Sequence, residues 1–160
     1  MKTEKQIHIS YKISDTPEDF SEPQQAIIQL AKDMATSAYA PYSNFHVTAI
    51  ALLQSGTVVK GTNVENASYP VGICAERNVL AHCISNYPDD IITSIAIYAD
   101  QDLGQPVPPC GLCRQSLLEA EHRQRSSIEL LLIAKNGTIF QLHSCSDLLP
   151  LNFNAGFLKK

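Results

Sequence analysis

The sequence predicts an α/β protein, a mixed sheet with helices against its faces. Three observations lead there. The predicted elements run helix, strand hairpin, helix, strand, helix, strand, strand, and strands that alternate with helices after an opening hairpin build layered mixed sheets. The 160 residues are enough for one domain with a sizeable core. A composition of 44% hydrophobic and 18% charged residues is that of a folded chain. No repeat, low-complexity run or linker interrupts it, so residues 1–20 read as an N-terminal extension and 21–160 as one domain.

In the extension, Ile7, Ile9, Tyr11 and Ile13 alternate with Gln6, His8, Ser10 and Lys12. That period of two predicts a half-buried strand over 6–13, an extra strand at a sheet edge. Asp15 to Phe20 reads as a loop. Ser21 and Gln24 form a capping box in front of a helix from about Glu22 to Ala38. Ala26, Ile27, Leu30, Ala31 and Met34 give that helix one apolar face. Phe45 to Leu53 and Thr57 to Thr62 read as a hairpin around Gln54-Ser55-Gly56. A second helix spans about Ile73 to Ser85 and stops at Asn86-Tyr87-Pro88. A strand at Ile91 to Ala99, a proline-rich loop, and a third helix from about Cys110 to Gln124 follow. Ile128 to Ala134 is almost wholly apolar, the mark of a buried strand. Asn136-Gly137 signals the turn into a last strand at Ile139 to His143. Ser146 to Leu149 reads as a short helical turn closed by Pro150.

Bulk properties exclude some functions. A net charge of −4 argues against a nucleic-acid binder, which wants a basic face. Five cysteines, an odd number, argue against a disulfide framework. The start MKTEKQIHIS lacks an apolar signal region, and no run approaches membrane-spanning length. A cytoplasmic, reduced setting is expected. There, Cys-x-x-Cys is more often metal-binding or redox than structural.

The chemistry concentrates in Asn63 to Arg77, which reads NVENASYPVGICAER, and in Pro109-Cys110-Gly111-Leu112-Cys113. Cys110 and Cys113 lie one helical turn apart and can aim at one ion, while Cys74 comes from another helix start. Both helix N-termini favour thiolate. Three protein ligands with a fourth position left for water make a catalytic zinc site. Glu76 points elsewhere than Cys74 and suits a proton carrier rather than a ligand. Arg77 can offset the negative charge of three thiolates.

These residues resemble the zinc deaminase pattern of three cysteines plus a non-ligand glutamate. More specifically, the sequence is similar to the cytidine deaminases of the small, homotetrameric, three-cysteine type. Ala40-Pro41-Tyr42-Ser43-Asn44-Phe45, Asn63 to Pro70, Cys74-Ala75-Glu76-Arg77, Pro109 to Gln115, and Leu148-Leu149-Pro150 stand in the family's order. The resemblance implies a three-layer α/β/α fold with a five-stranded mixed sheet. It implies one zinc ion per subunit on Cys74, Cys110 and Cys113, with Glu76 as the catalytic acid/base. The activity implied is hydrolysis of cytidine or deoxycytidine to the uridine product and ammonia, in pyrimidine salvage. Phe45 would pack on the pyrimidine, Asn63 and Glu65 would hold the ribose, and the backbone at Ala75 with Glu76 would read the base. Tyr69 and Phe153 would act near subunit boundaries. One departure is Val47-Thr48-Ala49, where the family has Val-Gly-Ala; Thr48 is expected to change sheet packing.

Plainer readings compete. The three cysteines could be buried structural thiols. A closed structural zinc would need a fourth ligand, such as His82 or Cys83. Phe45 could be a core aromatic, and Asn63 and Glu65 turn residues. In function, a deaminase for another aminopyrimidine, a polynucleotide deaminase, and a non-catalytic zinc or redox module are the alternatives.

Overall fold

The computed structural model describes residues 2–158; Met1, Lys159 and Lys160, the outer ends of the two predicted segments, lie outside the described residues. Six strands form one sheet in the order β1-β6-β5-β4-β2-β3. They are β1 (Lys12–Ser14), β2 (Val47–Leu53), β3 (Val58–Thr62), β4 (Ile92–Ala99), β5 (Glu129–Ile133) and β6 (Ile139–Leu142). The helices are α1 (Glu22–Asp33), α2 (Ala75–Asn86) and α3 (Gly111–Gln124). All pairings are antiparallel except β4 with β5.

Two cores hold three layers together. Ile27, Ile28 and Ala31 of α1 pack with Ile50, Ala96 and Leu131 on one face. Val79, Leu80 and Leu117 of α2 and α3 pack with Ala49, Ile95 and Leu130 on the other. Alternate residues of β2, β4 and β5 enter opposite cores, as a strand buried on both faces requires. No helix among the described residues is long and apolar enough to cross a membrane.

The topology decides where chemistry can happen. Strands β3 and β4 both run antiparallel to the β2 between them, so they share a direction. Helix α2 follows β3 and α3 follows β4. Both helix N-termini therefore emerge at the same end of the sheet, beyond the carboxyl ends of these strands. Open α/β sheets bind ligands at that end.

The N-terminal prediction is corrected. The strand is Lys12–Ser14 rather than 6–13, and residues 2–11 form no regular element. Its partner β6 is only four residues long, so the ladder ends at Lys12 opposite Gln141. Ile7, Ile9, Tyr11 and Ile13 remain exposed rather than half-buried, Tyr11 even though its ring lies 4.9 Å from that of Phe140 on β6. The extra strand does stand at the sheet edge, as expected. Helix α1 also ends earlier than predicted, at Asp33, and the chain tightens into a 3₁₀ turn over Ala35–Ser37.

Thr48 explains part of that ending. It is fully buried, and its hydroxyl donates to the Ala31 carbonyl at 2.6 Å. Ala31 is in the last turn of α1, where carbonyls lack helical partners. The departure from Val-Gly-Ala thus ties helix α1 to strand β2.

Gly61 on β3 fixes the height of α2. A Cβ there would lie 2.7 Å from the Val79 nitrogen and 2.9 Å from the Ala75 carbonyl. Both are backbone atoms, so the helix itself would have to move. Gly61→Ala is expected to destabilise the fold by about 3 kcal/mol, at the upper end of overpacking costs. Urea denaturation of the variant against the parent checks this. Because α2 carries Cys74 and Glu76 at its start, activity should fall with it.

Candidate active site

The segment between β3 and α2 folds back on itself through short bridges. Val64 and Ile73 exchange backbone hydrogen bonds at 2.9 and 3.0 Å, and Tyr39 pairs with Asn63 and Glu65 at 3.1 and 2.8 Å. These bonds carry the chain from the end of β3 to Cys74, the residue that caps α2. Cys110 occupies the same position ahead of α3. Arg114 steadies this second approach. Its guanidinium donates to the Pro109 carbonyl at 2.8 Å and to the Leu148 carbonyl at 3.0 Å, which links the C-terminal Leu148-Leu149-Pro150 stretch to the Cys110 loop.

The sulfurs of Cys74, Cys110 and Cys113 lie within 4.8 Å of one another, and Cys110 and Cys113 are 3.5 Å apart. Tetrahedral ligands at Zn–S distances of about 2.3 Å sit about 3.8 Å apart, so the three donors fit one zinc ion. Cys74 and Cys110 line a cavity of about 580 Å³, in the size range of small-molecule sites. Cys113 is buried. Among the described residues no fourth His, Cys, Asp or Glu joins the cluster. His82 stacks on Tyr87 at 6.3 Å and Cys83 lies in the core, so the closed structural site is not assembled. Cys145 is buried in the same core.

The thiols differ in their acidity. Burial raises Cys74 and Cys113 above the ordinary thiol value. For Cys110 burial also acts upward, but hydrogen bonds from the Cys113 N–H and thiol, the Leu112 N–H and the Cys74 thiol together outweigh it, and the net shift is downward. The expectation that both helix starts favour thiolate thus holds for Cys110 at α3 but not for Cys74 at α2. Seating a divalent cation would reverse the cost at the other two, since a coordinating thiol loses its proton.

Glu76 is the second residue of α2 and is only 6% exposed, yet it lines the cavity. Burial raises its pKa above the usual carboxylate range. Ala75 is fully buried beside it and contributes to the same wall. Phe45, Asn63, Glu65 and Tyr69 line the cavity as well. So the structure brings nine of the eleven expected site residues to one place: six along the Asn63–Glu76 stretch, plus Phe45 and Cys110, all lining the cavity, with Cys113 adjoining through its sulfur.

The polar pair is used in ways the sequence did not reveal. The Asn63 side chain accepts from the Val47 N–H at 2.9 Å and donates to the Phe45 carbonyl at 2.8 Å. It braces the start of β2 and keeps one N–H for a ligand. Glu65 accepts from the Tyr42 N–H at 2.9 Å, the Ser43 N–H at 3.2 Å and the Ser43 hydroxyl. The Ser43 hydroxyl, then the Tyr42 N–H, hold its pKa below the ordinary glutamate value. Tyr42 also meets Tyr69 edge-on, with ring centres 6.1 Å apart.

Two expected residues stand apart. Phe153 is exposed, stacks on Phe157 at 6.0 Å, and lies outside the cavity of its own chain. Arg77 is half-buried and makes no hydrogen bond to a sulfur among the described residues.

Comparison with known proteins follows the same lines. Residues 21–127 match the family model for the cytidine and deoxycytidylate deaminase zinc-binding region. A cytidine deaminase of Halalkalibacterium halodurans is 44% identical over 95 residues, which span 59% of this chain and 70% of the relative. One from Mycoplasma genitalium is 31% identical over 127 residues, 79% of this chain and 92% of the relative. The crystal structure of cytidine deaminase from Burkholderia pseudomallei superposes with a TM-score of 0.71 at 38% identity, covering 80% of this chain and 97% of that one.

Proposed function

This chain belongs to the cytidine and deoxycytidylate deaminase zinc-binding family, and from that premise we propose that it hydrolyses cytidine and deoxycytidine to uridine and deoxyuridine with release of ammonia. The observation that carries the reading is the placement of a buried glutamate on the cavity wall beside three converging thiols, two of which line the same cavity. A redox or purely structural module has no use for Glu76 there.

Cys74, Cys110 and Cys113 would hold zinc, one ion per subunit. When bound, zinc supplies a Lewis acid that turns water into a nucleophile at neutral pH. The chain's own residues do the rest. Glu76 carries a proton to N3 of the pyrimidine, which breaks the ring's aromatic character, and a second proton to the departing 4-amino group. The backbone at Ala75 and the Glu76 carboxyl read the base. Phe45 packs on the ring. Asn63 offers its remaining N–H, and Glu65 its remaining lone pair, to the ribose hydroxyls. Arg77 tempers the thiolate charge.

The charge of the cavity favours nucleosides over nucleotides. Among the described residues its lining contains no Lys, Arg or His and includes the ionised Glu65, a poor setting for a phosphate. The remaining proposals follow from family membership. Residues 21–160 act as the catalytic unit with 1–20 as an extension, in a cytoplasmic homotetramer serving pyrimidine salvage. Tyr69 and Phe153 lie at subunit boundaries, where the exposed Phe153 is free to complete a neighbour's site.

The test adds cytidine, deoxycytidine or deoxycytidylate to purified protein and follows loss of the 4-amino chromophore, with and without a zinc chelator. Both nucleosides should react, deoxycytidylate should react far more slowly, and the chelator should stop turnover. Silence on both nucleosides with turnover of another aminopyrimidine would reassign the substrate.

A further inference from the structure

We propose that Ser43 is a positioning residue for substrate binding, acting through Glu65 and the Tyr42–Phe45 turn. This rests on the reading of Glu65 as a sugar ligand. The Ser43 hydroxyl has one proton to give and two lone pairs to offer. It gives the proton to Oε1 of Glu65 and accepts from the Phe45 N–H at 3.0 Å. One small side chain thereby joins the group expected to meet the sugar to the backbone of the residue expected to meet the base.

The carboxylate's capacity makes the link consequential. An ionised carboxylate has about four lone-pair sites. At Glu65 the Tyr42 and Ser43 N–H groups take two on Oε2, at 2.9 and 3.2 Å. The Ser43 hydroxyl takes one on Oε1. The site left for a ligand hydroxyl is on Oε1, and its direction is set by where Ser43 holds that oxygen. Without the hydroxyl, the two N–H bonds still tether Oε2, but nothing fixes Oε1.

The turn itself is held against its own preference. Asn44 adopts φ of 53°, the left-handed region that most residues avoid. Asn tolerates it better than most, and surrounding bonds enforce it: Asn44 N to the Ala40 carbonyl at 3.0 Å, and Gln101 to the Asn44 carbonyl at 3.0 Å. Strained turns of this kind are kept where their geometry serves a site. These two bonds keep the turn folded when Ser43 is changed, so the hydroxyl can be removed without unmaking the loop.

The test compares Ser43→Ala and Ser43→Thr with the parent on cytidine, and measures uridine binding by calorimetry as a readout free of turnover. Removing a hydrogen bond to a charged group should raise KM for cytidine about tenfold and leave kcat within about twofold. The Kd for uridine should rise by a similar factor, since the product keeps the sugar. Ser43→Thr, which keeps the hydroxyl, should restore both. A Ser43→Ala enzyme with unchanged KM and Kd but a lower melting temperature would overturn the proposal and leave Ser43 as a turn stabiliser. So would a fall in kcat at constant KM. Glu65→Gln separates the layers: if it raises KM and Ser43→Ala does not, only the positioning role fails. If the parent neither turns over cytidine nor binds uridine, the sugar reading fails and takes this proposal with it.

Discussion

Glu76→Gln is expected to remove nearly all turnover, a fall in kcat of about 10²–10⁴-fold or more, while zinc content and fold persist. Positioned proton transfer contributes on that order, and an amide of the same size cannot carry a proton between water and substrate. Glu76 is nearly inaccessible to solvent, so bulk water cannot take over the role. The substitution also replaces a buried ionisable group with a neutral one, which relieves desolvation rather than adding to it. Stability should therefore hold or rise. Single-turnover kinetics, metal analysis and circular dichroism on the same sample check the three parts together. An active Glu76→Gln enzyme would show that the proton travels another way.

Cys113→Ala carries the second large effect. Of the three thiols it alone is fully buried, and its sulfur lies within 4.8 Å of both others. Losing a ligand should weaken metal affinity by more than about 100-fold, the upper range for losing only a supporting group. The isolated protein should then carry little zinc, show no measurable deamination, and melt at a lower temperature, because metal binding free energy is folding free energy. Cys83→Ala is the control. That thiol lies in the core among apolar side chains, so its loss costs packing but should leave the zinc in place. Zinc retained by Cys113→Ala at parental affinity would remove this residue from the ligand set.

Much of the site was legible because its residues are close in sequence. Asn63, Glu65, Tyr69, Cys74, Ala75 and Glu76 fall in one stretch, and each is tied to a helix start or a turn that local residues specify. The helix and strand order was equally legible, since hydrophobic period and turn residues are local properties. Non-local facts were not. The alternation of Ile7 to Ile13 announces a strand, but only β6 decides how much of it pairs, and β6 is short. The need for glycine at position 61 arises from Val79 and Ala75, backbone on another element. Glu65 meets Ser43 across 22 residues, and Asn63 meets Phe45 across 18, so their bonding became visible only with the fold. The Pro41-Tyr42-Ser43 run was a turn signal that, read for its donors, could have pointed to a carboxylate partner.

The most direct measurement is a zinc titration of metal-stripped protein, with cytidine turnover and bound zinc read on the same aliquots. Activity should rise linearly and level off at one zinc per subunit, and Glu76→Gln should bind the same single equivalent without turning over. Full activity before any zinc is added, or saturation without deamination of cytidine in the parent protein, would contradict the proposed zinc-dependent deamination.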